Sequence, residues 1–224
     1  MYLSRLTLNP RNRRVQKELA NPYELHRTLM SAFPATLPAG ERILFRVDVD
    51  DATGIPTVLL QSHTAPDWAW LGDPRANGYL LRAPESKPFE LTFTPGQTLT
   101  FRLRANPTEK RWLPKAKDDP TGEKKPMRVG LCATEEQSAE ERQRAWLERK
   151  GVDGGFRALS VAIITEGKVY GRTSGETRHA LQFDAVRFEG VLQVIDPDKL
   201  WATVQQGVGP GKGLGFGLLS LARA

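Results

Sequence analysis

A phenol and an imidazole stand three residues apart, Tyr23 and His26, in the segment Asn21-Pro-Tyr-Glu-Leu-His-Arg-Thr-Leu-Met30. The segment reads as the start of a helix. Asn21 can cap it, Pro22 suits the first turn, and Glu24 holds the third position of a capping-box-like arrangement. On a helix running to about Phe33 and ended by Pro34, residues Leu25, Thr28, Leu29 and Ala32 share a side that would face a sheet. Tyr23, His26, Arg27 and Met30 form the neighbouring stripe, because residues three and four apart lie on one face. The N-terminus of a helix attracts phosphate, and Arg11, Arg13 and Arg14 in the preceding loop would bring more positive charge. Such a set suits phosphodiester cleavage by the 2′-hydroxyl of the substrate. That reaction needs a proton taken, a proton given and a negative phosphorane stabilised, and it needs no metal. A histidine at the edge of a core with Tyr23 packed beneath it fits the same pattern, and the residues alone favour that plainer reading.

The second chemically suggestive stretch closes the chain. Six glycines alternate through Gly207-Val-Gly-Pro-Gly-Lys-Gly-Leu-Gly-Phe-Gly217, then run into Leu218-Leu-Ser-Leu-Ala222. A Walker loop would need glycine at Gln206 and Ser or Thr at Gly213. The dinucleotide fingerprint is absent from the run, and the few residues after Gly217 leave room for one strand rather than a βαβ unit. The glycines therefore form a loop feeding a last strand, with Lys212 projecting from it.

Other titratable groups point to less. His63 and His179 read as loop and hairpin-base residues, and Asp48, Asp50 and Asp51 as acidic turn residues before Gly54. With one cysteine, Cys132, and three scattered histidines, a Cys- or His-based metal centre is not expected.

Charge is the strongest bulk signal. The 224 residues carry a net charge of +6, with a pI near 9.6. The first fourteen residues hold four arginines and no acid, and Phe101 to Arg128 holds nine Lys or Arg against four acids. Concentrated positive charge marks a polyanion ligand, since neutralising phosphates releases counterions; a solvated basic surface accounts for it too. No apolar run approaches the ~20 residues of a membrane span, and no signal peptide opens the chain, so a cytoplasmic protein is expected.

Tyr2 to Leu8 alternates as a strand, Ile43 to Val49 and Thr57 to Gln61 follow as two more, Trp68 to Pro88 reads as irregular, and Leu99 to Ala105 as a strand. Asn106 to Lys125 is polar, basic and broken by prolines. Glu135 to Lys150 reads as a charged amphipathic helix. Phe156 to Val169 and Leu181 to Ile195 flank a polar tip as a hairpin, and Pro197 to Gln206 is a short helix. The two halves repeat one pattern. The expected fold is α+β, two tandem ferredoxin-like (RRM-like) domains over 1–105 and 131–224, joined by a basic linker or loop over 106–130.

Several segments in order carry a resemblance: Met1-Tyr-Leu-Ser4, Asn21-Pro-Tyr-Glu-Leu-His26, Phe101-Arg-Leu-Arg-Ala-Asn-Pro107, Phe188-Glu-Gly-Val-Leu192, and the run from Gln205 through the glycines to Leu221. The chain resembles the CasE-type CRISPR-associated endoribonucleases, the RNA-processing subunits of the type I-E Cascade complex, from its first residue to its last strand. The resemblance implies two ferredoxin-like domains, with cleavage of CRISPR precursor RNA at the 3′ base of each repeat stem-loop. It implies that cleavage needs no metal or cofactor and leaves a cyclic phosphate, and that the product is retained in Cascade beside the other subunits. It places proton transfer on His26 and an orienting or activating role on Tyr23. RNA contacts are then expected from Arg27, from the hairpin residues Lys168, Arg172 and Arg178, and from Lys212. Gly207, Gly209, Gly211 and Gly213 are expected on the RNA side or as a brace between the domains. Lys115, Lys117, Lys124, Lys125 and Arg128 are further phosphate contacts if the linker meets RNA. An RNA-binding scaffold of the same fold without catalysis is the alternative.

Overall fold

The computed structural model describes residues 1–72, 78–114, 124–174 and 179–224. It contains two four-stranded antiparallel sheets built on one plan. In the first, β1 (Tyr2–Thr7) lies between β3 (Pro56–Ser62) and β4 (Glu85–Pro88), and β2 (Leu44–Val49) flanks β3. In the second, β5 (Thr98–Ala105) lies between β9 (Ala180–Val194) and β10 (Leu219–Arg223), and β8 (Phe156–Arg172) flanks β9. In each half the first strand sits between the third and fourth, with the second at the edge. That order defines the ferredoxin-like fold, and the chain has two such domains.

Each sheet is covered by helices that bury one face. In the first half α1 (Arg13–Leu19) and α2 (Pro22–Met30) connect β1 to β2. Leu25 and Leu29 of α2 share one core with Leu6, Phe45, Val58 and Leu60 of the sheet, on the side the periodicity assigned to it, whereas buried Thr28 donates to Glu18 of α1 at 2.7 Å. In the second half α3 (Ala139–Gly154) and α4 (Pro197–Gln206) enclose a separate core around Leu103, Trp146, Phe188 and Leu192. Burying aliphatic and aromatic side chains of this size stabilises each domain by about 1.5–3 kcal/mol per residue before ordering costs.

Several boundaries differ from the sequence expectation. The first domain does not extend to residue 105, because β5 pairs along its whole length with β9 and β10 of the second sheet. A strand pattern announces its periodicity and not its partner. Residues 106–130 are not a plain linker: β6 (Thr108–Pro114) and β7 (Lys124–Gly130) form a two-stranded ribbon inserted between β5 and α3. Lys115 and Lys117 lie outside the described residues. The helix expected from Glu135 starts at Ala139, where Ser138 and Glu141 form a reciprocal capping box, and ends at Gly155 with φ 76°. Helix α2 stops at Met30, its Glu24 pairing with Arg27 rather than completing a capping box. The charged, partly buried helix α1 was not anticipated. The segment read as irregular holds a 3-10 turn, Ala69–Gly72, and the exposed edge strand β4.

Candidate active site

The first turn of α2 is fixed from two directions. Asn21 accepts the Tyr23 N–H at 3.3 Å as the N-cap, a role open to Asn because its short carbonyl reaches the free amides of the first turn. The same side chain grips the hairpin. Its Oδ1 accepts the Arg172 N–H and its Nδ2 donates to the Arg172 carbonyl, both at 3.1 Å. Gly171 permits this approach, since a Cβ there would stand 2.9 Å from Asn21 Oδ1. One turn further on, Arg27 Nη1 donates to Ser174 Oγ at 3.1 Å and lies 3.3 Å from Glu24 Oε2.

His26 is half-buried on this helix, packed beside the glycine loop. A Cβ on Gly213 would lie 3.5 Å from His26 Cε1 and 3.7 Å from Nδ1. Among the described residues Nδ1 is buried without a hydrogen-bond partner, and leaving a buried polar group unpaired costs about 1–3 kcal/mol. Burial holds the imidazole below its usual pKa of 6.5 and favours the neutral form. Tyr23, half-buried, occupies the turn before it.

The glycine loop braces the two domains. Five of its six glycines have φ between 70° and 87°, a region side-chain-bearing residues rarely occupy. Gly207 sits against Leu44 of the first domain and Gly209 against Trp146 of the second. Gly211 packs against Phe216, and Gly215 against Phe45. Lys212 opens a 3-10 turn, Lys212–Leu214, directly before the glycine that backs His26. Around this loop the domains are bolted by buried polar contacts: Gln61 Nε2 donates to the Val204 carbonyl at 2.7 Å, and Arg46 Nη1 donates to Ser220 Oγ at 2.9 Å. On the side a Cβ would occupy, Gly207, Gly209 and Gly211 pack against protein, and Gly213 alone of the four lies against the histidine.

Elsewhere the expected residues separate. Lys168 and Arg172 are exposed on β8, where Tyr170 is also 59% exposed; Arg178 lies outside the described residues. Arg14 does not serve the N-terminus of α2. Its guanidinium lies over the rings of Trp70 and Tyr79 and bonds Glu18 and Thr28, and Tyr79 donates to Glu18 at 2.6 Å. That buried carboxylate network fastens α1 to α2. Asp48 is taken by Arg46 at 2.8 Å, Asp50 caps the turn at Thr53, and His63 and His179 are exposed. Sequence reasoning missed Asn21 as more than a cap, and missed Arg149 and Lys150 on α3. These two join Arg128 and Lys212 along a cleft of about 540 Å³ behind the glycine loop. The basic tail of α3 was visible in the sequence, but its neighbours are brought in from distant strands and loops.

Two tandem ferredoxin-like domains, clasped by a glycine loop beside a helix-borne histidine, define the class of molecule. The family model described as CRISPR associated protein matches residues 1–223, and the chain belongs to that family. It is 41% identical to the CRISPR-associated endoribonuclease Cse3 of Thermus thermophilus, over 99% of this chain and 100% of that one. It is 33% identical to the CRISPR system Cascade subunit CasE of Escherichia coli K12, over 99% of both chains. The solved structure of Thermus thermophilus Cse3 bound to an RNA representing a pre-cleavage complex is 42% identical, with a TM-score of 0.76 over 99% of this chain and 98% of that one.

Proposed function

We propose that this chain is the endoribonuclease that processes CRISPR precursor RNA, cutting at the 3′ base of each repeat stem-loop and remaining with the product in a cytoplasmic Cascade complex. The observation that carries the reading is the junction at α2. One helix holds a neutral-leaning His26 against the glycine loop and is fastened at its first turn to an exposed basic hairpin. Full-length relatedness to an endoribonuclease and to a Cascade subunit supports the substrate class.

In the proposed reaction the substrate's 2′-hydroxyl attacks the adjacent phosphorus. Its proton leaves to a base, the P–O5′ bond breaks, and the departing 5′-oxygen takes a proton, giving a 2′,3′-cyclic phosphate and a 5′-hydroxyl. His26 moves one of these protons, and its lowered pKa keeps it able to accept at neutral pH. Tyr23 orients the 2′-hydroxyl or helps activate it. Lys212 and Arg27 supply positive charge toward the developing phosphorane. Lys168 and Arg172 engage the stem through its phosphates and shape, since the A-form major groove is too narrow for side chains to read freely. No step calls for a metal.

The test is cleavage of a labelled repeat stem-loop in EDTA by wild type and His26→Ala, with a parallel substrate carrying a 2′-deoxy sugar at the cut. Wild type is expected to cut in chelator. His26→Ala should lose about 10²- to 10⁴-fold in rate while keeping RNA affinity, and the deoxy RNA should not be cut. Tight binding without cleavage by wild type would instead establish the non-catalytic scaffold.

A further inference from the structure

We propose that the cleft behind the glycine loop binds the backbone phosphates of the RNA strand that continues 3′ of the cut. This rests on the reading of the chain as a stem-loop endoribonuclease given above.

The cleft is lined by four cations from three separate elements: Arg128 of β7, Arg149 and Lys150 of α3, and Lys212 of the loop. One carboxylate faces them, Asp153, and it lies 3.5 Å from Lys150. Among the described residues neither Arg149 nor Lys212 has an ion pair. Like charges gathered on a partly enclosed wall repel one another. Burial, then Arg42 and Lys150, lower the Lys212 pKa, the direction expected where positive charge crowds without a counter-charge. A polyanion relieves that repulsion.

The cleft's chemistry selects phosphate over base. Its aromatic residue, Trp146, is 2% exposed and lies beneath Gly209, so it offers no free face for stacking. Charge without a stacking platform recognises the backbone and not the sequence.

Position gives the strand its direction. The hairpin meets α2 at Asn21, His26 lies a turn further along, and Gly213 covers His26. Lys212, the next residue back along the loop, already belongs to the cleft wall. A strand leaving a stem held on the hairpin therefore passes His26, crosses the loop at Gly213 and enters the cleft. With the cut at the 3′ base of the stem, that strand is the one released by cleavage. The cleft thus strengthens binding of precursor and not of the retained product.

Two RNAs with a 2′-deoxy sugar at the cut site test this, one ending just past the cut and one continuing as a short single-stranded tail. Affinities are measured against salt for wild type and for the double variant Arg149→Gln, Lys150→Gln. Wild type is expected to hold the tailed RNA about tenfold more tightly at low salt, with a steeper slope, each phosphate adding about 0.7 for single strands. The double variant should lose that increment and bind the tail-less RNA as wild type does. Arg144→Gln, which removes a charge from α3 where it pairs with Glu140, should change neither. A double variant that binds the tailed RNA like wild type, or that loses equally on both RNAs, overturns the proposal. Failure of wild type to bind either RNA would overturn the endoribonuclease reading instead.

Discussion

Asn21 holds the backbone of Arg172 by both its amide and its carbonyl, across 151 residues of sequence, while the same side chain caps the helix that carries His26. The strand that presents the exposed hairpin and the helix that presents the imidazole thereby share one hydrogen-bonded node.

Asn21→Asp separates the two duties of this node. Aspartate caps a helix about as well as asparagine, yet it cannot donate to the Arg172 carbonyl and would repel it. The unfolding temperature should stay near wild type and stem-loop affinity should change less than about twofold. Single-turnover cleavage at saturating protein should fall about tenfold or more, because small displacements of a catalytic group have disproportionate cost. Equal losses in affinity and rate, with a lowered unfolding temperature, would reduce Asn21 to a structural cap.

The pH dependence of His26 follows from its burial. The folded imidazole has a pKa below the unfolded value of 6.5, so the unfolded chain binds more protons as pH falls through that range. Stability contributed by neutral His26 is present above about pH 6.5 and is lost as pH drops toward the folded pKa. Chemical denaturation between pH 7 and 5 should show this loss in wild type and a smaller one in His26→Gln. If His26 acts as the base, kcat/KM should rise to a plateau through a midpoint below 6.5. A midpoint above that value would assign the base elsewhere.

Two glycines of one loop should behave oppositely. Gly209 has φ 80° and a Cβ there would stand 2.9 Å from Trp146, so Gly209→Ala is expected to cost about 1–3 kcal/mol, read by denaturant melts. Gly213 has no such backbone demand, and its added methyl would meet His26 at ordinary contact distance. Gly213→Ala should leave stability within about 0.5 kcal/mol of wild type and lower the cleavage rate. A stable, fully active Gly213→Ala would show that the imidazole has room to spare.

The interdomain bolt at Gln61 is testable by stability alone. Gln61→Leu removes the donor to the buried Val204 carbonyl and leaves that oxygen unpaired, which costs about 1–3 kcal/mol. An unchanged melt would mean that the carbonyl finds another partner as the domains shift.

Local pattern settled a good deal by itself. The three-to-four residue spacing of Leu25, Thr28 and Leu29 fixed the buried face of α2, and the Asn-Pro start fixed its first residue. Alternation marked β1, β-rich runs marked β5, β8 and β9, and the repetition of the pattern implied two domains of one kind, because such patterns depend only on neighbours along the chain. The run of conformationally free glycines announced a loop of unusual backbone. Partnership was another matter. That β5 joins the second sheet, that the basic segment after it folds back as a ribbon, and that Arg14 turns inward over Trp70 and Tyr79 depend on which surfaces meet. So do the Asn21–Arg172 grip, the packing of Gly213 on His26 and the gathering of Arg128, Arg149, Lys150 and Lys212 around one cleft. These contacts join residues far apart in sequence, and their energies exist only once two cores have formed and brought their edges together.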